Sequence, residues 1–468
     1  MMRVLLVRHN TSSINTRLAE SVNRIQGVYP PLGIAYVAAT LEGEHDVQIL
    51  DTQALNLTRD EIKKSIRRFD PDIVGITCMT PTIHASLEIS RLAKEISKDI
   101  ITVLGGSHMS AFPKETLTYD HVDFGVVGEG EVVFSQLISA LEGKKKIKDV
   151  DGLVFKNDGR IKFNPPKRYV KDLDSLPFPA RHLLPYKKYF SIHAENPFTT
   201  LITGRGCPFN CAYCFKGIFG RIMRFRSPKN VVDEIELCLK MGIKEIWFYD
   251  DVFTLDKKRV IKICSEIVKR GLNFKWTAVT RVDLVDYEVL KKMKKAGCYR
   301  IRYGVESGSQ EVLNLMKKGI TLERVKKTFE LTKKAGIETF AFFMLGYPTE
   351  DREKIEKTIN FALKLNPDWA MFSNTVPFPG TKLLEQAYEE GLLVDKDYWK
   401  KFVLGKTKKR IPYRFPGLDK WVELAFKRFY FRPTFALRTL LNVRSVRQMK
   451  NYMRGLEALI RWKSYFPV

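Results

Sequence analysis

Short apolar runs alternate with amphipathic stretches twice along this chain, and that rhythm restricts the architectures open to it. In the first series RVLLVRH, DVQILDT, IVGITCM, ITVLGGS and DFGVVGE read as buried strands. GIAYVAATLE and ASLEISRLAKEIS, with apolar residues at helical spacing, read as helices between them. Strands joined through helices run parallel, so residues 1–145 are expected to form an α/β domain with an open, doubly wound sheet. Ligands of such sheets bind beyond the carboxyl ends of the strands, at loops that here read CMTPT, LGGSH and GEGE. Their small residues let a backbone approach a bulky ligand closely. Residues 146–197 read as a linker: a charged stretch with a hairpin, then the Pro-rich DLDSLPFPARHLLP.

The second series has the strands TTLITGRG, KEIWFYDD, FKWTAVTR, RIRYGVES, ETFAFFMLG and WAMFSNTVP, separated by helices such as VVDEIELCLKMG. Six such units are two short of a closed barrel. Residues 198–400 are therefore expected to form a partial (β/α)6 barrel, open on one side, with its site at the C-terminal ends of the strands. Residues 401–468 read as a helical, aromatic-rich region.

Just past the first barrel strand, GRGCPFNCAYCF holds Cys207, Cys211 and Cys214, separated by three residues and then two. Structural zinc wants four ligands, and only isolated candidates for a fourth exist, such as His182, His193 and Cys298. Three thiolates from one short loop suit an iron–sulfur cubane whose fourth iron stays open for a chelating ligand.

The remaining cysteines, Cys78, Cys238, Cys264 and Cys298, stand singly, which argues for a reducing compartment rather than a disulfide framework. The first residues lack the pattern of a secretion signal, and no apolar run approaches bilayer-spanning length, so a cytoplasmic location is expected. The formal charge of +26 favours anionic partners. Residues 401–468 hold 17 Lys/Arg against three acidic residues. There FKRFYFRPTFALRTLLNVRSVRQMKNYMRGLEALIRW has two readings: a capping helical layer with a solvated basic face, or a peripheral dock on anionic membrane. No RNA-binding module is visible, so nucleic acid is not an expected partner.

The CxxxCxΦC pattern, with Tyr213 as its aromatic, resembles the radical S-adenosylmethionine superfamily along roughly residues 198–380. The resemblance implies a 4Fe–4S cluster on Cys207, Cys211 and Cys214 that chelates S-adenosylmethionine and cleaves it reductively to a 5′-deoxyadenosyl radical. FYDDVF resembles the segment that holds the methionine amino group, placing Asp250 and Asp251 there. YGVESGS resembles the ribose- and carboxylate-binding fourth strand, placing Glu306 and Ser307 there, with Arg281 from the third strand. MLGYPTE resembles the fifth-strand motif beside the adenine, through Gly346. An electron donor such as ferredoxin or flavodoxin is implied.

The front series is similar to the Rossmann-like cobalamin-binding module that precedes the barrel in many of these enzymes, through PPLGIAYVAATLE, VLGGSHMS and VVGEGE. That resemblance places Thr77, Thr80, Gly105, Gly106, His108, Gly128, Glu129 and Gly130 at a cobalamin. The DxHxxG histidine of cobalamin-dependent methyltransferases is missing, so His108 is expected to bond a nucleotide tail or backbone rather than cobalt. No GxGxxG follows the first strand, against a dinucleotide fold. The implied activity is C-methylation of an unactivated carbon in an apolar or membrane-associated small molecule or lipid. The alternatives are a cyclase or carbon–carbon coupling enzyme of the same build, and a non-catalytic cobalamin- or lipid-binding protein. The last has no use for an open iron.

Overall fold

The computed structural model describes residues 1–10, 27–167, 169–393, 395–407, 417–435 and 437. Seven strands make the front sheet: β1 (Arg3–Arg8), β2 (Asp46–Asp51), β3 (Ile73–Thr77), β4 (Ile101–Gly105), β5 (Phe124–Val126), β6 (Leu153–Asn157) and β7 (Arg160–Phe163). Their order is β2-β1-β3-β4-β5-β6-β7. Pairing is parallel from β2 to β5, with Leu5 and Val7 facing one apolar layer and Val4 and Leu6 the other. Strand order reverses between β1 and β3, which opens a crevice at their carboxyl ends.

The front domain is longer than its sequence rhythm implied. The hairpin expected in the linker instead adds β6 antiparallel to β5 and β7 antiparallel to β6, so the sheet runs to Phe163 rather than ending near residue 145. Leu153 and Phe155 enter one apolar layer and Val154 the other, which fixes the hairpin to the sheet. Its outer strand, RIKF, exposes Arg160 and Lys162, a charged edge that discourages further pairing.

The second sheet has six parallel strands in chain order: β8 (Phe198–Leu201), β9 (Glu245–Phe248), β10 (Lys275–Thr280), β11 (Cys298–Glu306), β12 (Glu338–Leu345) and β13 (Trp369–Asn374). β8 and β13 are its edges, as expected of an open barrel. Alternate residues Ile301, Tyr303 and Val305 of β11 and Ala341, Phe343 and Leu345 of β12 pack outward under the helices. Those helices start where the sequence supplies caps: Ser227, Asp256, Asp286, Thr321 and Asp351 each accept a backbone N–H three residues on.

The C-terminal region is helical where described. Helix Tyr398–Val403 reaches the front domain, where Phe402 meets His84 and Tyr119 donates to the Val403 carbonyl at 2.8 Å. Helix Leu418–Tyr430 covers β13, burying Val422, Phe426 and Phe429 in the outer core. The Tyr430 hydroxyl donates to Ala370 O at 2.6 Å. The first residues of the basic segment 426–462 thus belong to a packed layer; most of the remainder lies outside the described residues. Among the described residues no helix is long and apolar enough to cross a membrane.

Two contacts complete the frame. Tyr29 of the front domain enters the open side of the barrel, 5.5 Å from Trp247 and 5.8 Å from Phe198. The segment before β8 crosses the N-terminal floor of the barrel, where His193 packs edge-on against Trp369 and Phe340. The His193 carbonyl accepts from Tyr299 and Arg300. Burial, with Arg300 and Arg302 nearby, holds the His193 imidazole well below its ordinary range, so the floor is closed by a neutral ring.

Candidate functional site

The three-cysteine loop leaves the barrel between two short strands, Gly204–Arg205 and Arg224–Phe225, which pair antiparallel at its base. Gly206, at φ 94°, passes so close to the Ile222 carbonyl that a Cβ would lie 2.4 Å from it. Cys207 is buried, Cys211 partly exposed and Cys214 exposed. Ala212 is tied to the Met316 carbonyl at 2.9 Å, and Cys214 N donates to Cys211 O at 3.2 Å. Burial raises the Cys214 thiol, Lys216 opposes this, and Cys207 and Cys211 add to it, so the three sulfurs feel one another.

Among the described residues no group of three or more His, Cys, Asp or Glu could hold a single metal ion. The isolated zinc candidates stay apart: His182 faces Glu42, His193 seals the floor and Cys298 lies in the outer core. Three thiols on one short loop, beside the cations Lys216 and Arg281, fit an anionic cluster pinned at three corners.

Several expected cofactor residues converge here. The β11 ladder shifts register between Gly304 and Glu306, and Glu306 takes a left-handed φ of 71°. This strained position turns the carboxylate inward onto Lys318, with Nζ to Oε1 at 2.9 Å. Lys318 Nζ also donates to the Tyr213 hydroxyl at 3.0 Å, which joins Glu306 to the cluster loop. Gly304 leaves room for this pair, since a Cβ there would lie 2.3 Å from the Glu306 Oε1 and push the carboxylate aside. Arg281 stacks on Phe209 at 3.7 Å, pairs with Asp283 and donates toward Cys211 Sγ at 3.8 Å. Asp251 is exposed beside the loop; burial raises its pKa, and Lys216 and the Gly206 N–H lower it.

Other expected contacts are occupied by the fold. Asp250 accepts from the Thr203 N–H at 2.6 Å and from the Thr203 hydroxyl, so it holds the turn leading to the cluster loop. Burial is the largest cause raising its pKa to about 6. Ser307 is fully buried and bonds Thr358 of an outer helix at 3.1 Å, because the SGS turn faces away from the barrel interior. Gly346, at φ 81°, packs against Leu418, and its N–H and that of Tyr347 donate to Glu350 Oε2 at 2.7 and 2.9 Å.

Glu350 Oε1 is buried without a partner, and burial raises the acid to about 7. A folded-state pKa above the unfolded value means stability that is full below about 4.5 and lost as pH rises through about 7. Glu350→Gln is therefore expected to gain stability relative to the parent between pH 5 and 8, by roughly 1–3 kcal/mol in urea unfolding.

In the front domain, Thr77, Thr80, Gly105, Gly106 and Gly128 rim the carboxyl ends of β3 to β5. Cys78 N bonds Gly105 O at 2.7 Å, and Gly106, at φ 110°, crosses the Cys78 carbonyl where a Cβ would lie at 2.7 Å. Met79 is half exposed on this rim of small residues, which suits a broad planar ligand. His108 does not reach it. Its ring is fully buried between Thr80 and Thr116, each at 3.2 Å, and burial lowers its pKa to about 3.

Glu129, also expected at the cobalamin, has its carboxylate engaged by the fold. Gly130 starts the following helix, and the Glu129 carboxylate turns to Arg205 at 2.8 Å and Arg224 at 2.9 Å, while Glu131 takes the other end of Arg205. All four side chains are buried. The front-domain GEGE loop thus grips both strands at the base of the cysteine loop. Arg205, Arg224, Lys216 and Lys318 escaped sequence reasoning, since nothing distinguishes them among 79 Lys and Arg residues.

The Radical SAM superfamily matches residues 201–362, and the B12 binding domain matches residues 21–138. An uncharacterized methyltransferase of Pyrococcus horikoshii, PH0819, is 36% identical over 97% of this chain and 98% of its own. An anaerobic magnesium-protoporphyrin IX monomethyl ester cyclase of Rubrivivax gelatinosus is 32% identical over 93% of this chain and 78% of its own. Among solved structures, the cobalamin-dependent S-adenosylmethionine radical enzyme OxsB, with aqua-cobalamin and S-adenosylmethionine bound, aligns with a TM-score of 0.75 at 18% identity, over 98% of this chain and 72% of that one. The methyltransferase TsrM, with cobalamin and a [4Fe-4S] cluster, aligns at 0.68 and 20% identity, over 84% and 76%. A three-thiol loop at a barrel mouth, a small-residue crevice on the sheet before it and this full-length kinship have one reading: the chain belongs to the cobalamin-dependent radical S-adenosylmethionine enzymes, the family of such methyltransferases.

Proposed function

We propose that this enzyme methylates an unactivated carbon of a small, largely apolar substrate held inside the barrel. The observation that carries this reading is the buried tie from Glu129 and Glu131 to Arg205 and Arg224, because it brings the front-sheet crevice and the cysteine loop to one seam. When bound, the cluster supplies an electron to cleave S-adenosylmethionine and cobalamin supplies the methyl group. A carbon without acidity offers nothing to a general base, so hydrogen-atom abstraction is the route left open.

The chain's own part is to bind, orient and exclude water. Asp251, exposed beside the loop, is the acid we assign to the methionine amino group, since Asp250 is committed to Thr203. Glu306 and Lys318, locked together and joined to Tyr213, are the pair we assign to the ribose and carboxylate. The closed floor and the aromatic wall keep the reacting carbon from solvent. An external one-electron donor of the ferredoxin or flavodoxin class completes the cycle. Docking on anionic membrane would fall to residues beyond the packed helix Leu418–Tyr430.

The test is anaerobic incubation of reconstituted protein with S-adenosylmethionine and strong reductant. Formation of 5′-deoxyadenosine together with S-adenosylhomocysteine is the expected result. 5′-Deoxyadenosine without S-adenosylhomocysteine would favour the second reading, a ring-forming cyclase, for which the kinship to the Rubrivivax enzyme speaks. Asp251→Asn is expected to raise the KM for S-adenosylmethionine about tenfold with cluster content unchanged, as loss of one charge-assisted hydrogen bond implies. An unaltered KM removes Asp251 from that role.

A further inference from the structure

The inward wall of the barrel below the cysteine loop is mostly apolar: Tyr249, Phe342 and Met344 are exposed or partly exposed there. Low on this wall stands a charge without an ionic partner among the described residues. Arg302 on β11 is 5% exposed, with its guanidinium 3.5 Å over the Trp247 ring and 5.6 Å from that of Phe340. Its one hydrogen bond is a long contact of 3.5 Å to the Tyr249 hydroxyl, and its Nε is buried with no partner.

Other buried arginines are treated differently by the fold; Arg259 donates to the carbonyls of Arg226 and Thr203. Arg181, Arg205, Arg224, Arg226 and Arg300 are as buried, and each reaches a carboxylate. Arg300, one inward position below, pairs with Glu338 at 2.7 Å. No carboxylate of the described residues lies within 4.0 Å of Arg302. Stacking on Trp247 offsets part of the cost of burying that cation. The remainder calls for an anion, and a guanidinium fork is suited to a two-oxygen partner.

We propose that the barrel floor is a subsite for an oxyanion of the substrate, a carboxylate or phosphoryl group, with Arg302 as its counter-ion. This rests on the reading above that the substrate occupies the barrel. Four residues of strand separate Arg302 from Glu306, or about 13 Å. An apolar body spanning that distance would lie along Tyr249, Phe342 and Met344, with its reacting carbon toward the cysteine loop. The substrate class is therefore an amphipathic organic acid or phosphate ester, anchored by its charged end.

The test titrates the holoenzyme with phenylphosphonate, benzoate, uncharged benzamide and inorganic phosphate, by calorimetry, in the parent, Arg302→Met and Arg302→Lys. The parent is expected to prefer phenylphosphonate or benzoate to benzamide by at least about tenfold; Arg302→Met abolishes the preference and Arg302→Lys keeps part of it. The melting temperature of Arg302→Met is expected to stay level or rise, because an unpaired buried cation has gone. Equal oxyanion binding by the parent and Arg302→Met overturns the subsite, as does a parent with no oxyanion preference. Inorganic phosphate binding as tightly as phenylphosphonate overturns the substrate assignment in favour of a free-anion site. A lowered melting temperature with unchanged binding marks a structural arginine and also overturns it. 5′-Deoxyadenosine formation by the parent, measured alongside, bears on the proposed chemistry alone, so the two can fail separately.

Discussion

Cys211→Ala is expected to remain folded yet lose its cluster, with iron and acid-labile sulfide at background and 5′-deoxyadenosine formation down by more than about a thousandfold. The fold should tolerate the change because Cys211 is only partly buried and the loop is held elsewhere, by Ala212 on Met316 and by Arg205 and Arg224 at its base. Loss of one thiolate leaves two anchors for a cluster that also needs one iron free, too few to hold it against solvent thiols. Cys207→Ala and Cys214→Ala should behave alike, with Cys207→Ala also losing some stability because that side chain is buried. Colorimetric iron and sulfide assays with far-ultraviolet circular dichroism decide the matter. Full iron and sulfide in the triple variant would end the cluster assignment.

The second large effect concerns the seam. Glu129→Ala is expected to destabilise the protein by about 3–5 kcal/mol, since it strands the buried Arg224 guanidinium and leaves Arg205 with Glu131 alone. Glu129, Glu131, Arg205 and Arg224 form a neutral set, so removing one member leaves a net positive charge in a dry interface. Arg224→Met in the same background should recover part of the loss, because residues sharing a partner are not additive. Chemical unfolding of the single and double variants measures this. A loss below about 1 kcal/mol would show that the seam is solvated. The same variant should retain cluster less well, as Arg205 stands two residues before Cys207.

Local rhythm made most of the fold legible. Parallel strands between amphipathic helices leave few topologies, and the capping residues sit where the barrel helices begin. The hairpin 153–163 was misplaced because a pair of short strands carries no sign of which sheet edge it will join; β5, with three residues, needed a neighbour. The cysteine loop was legible because its chemistry lies within eight consecutive residues. Partners distant in sequence were not. Glu129 meets Arg205 across 76 positions, so its carboxylate looked free for a cofactor. The surroundings of His108 are hidden in the same way: Thr80 and Thr116, 28 and 8 positions away, fold around its two ring nitrogens. Asp250 and Asp251 are adjacent and chemically equal in the sequence, and only the turn after β9 sends one to Thr203 and leaves the other beside the cluster loop.

The sealed end beneath the barrel has a bearing on traffic. Among the described residues His193, Trp369 and Arg300 stop the lower opening, which leaves the mouth beside the junction between the two sheets as a way in and out. Departure of product then depends on that junction loosening, which makes turnover sensitive to the strength of the ionic knot holding it shut.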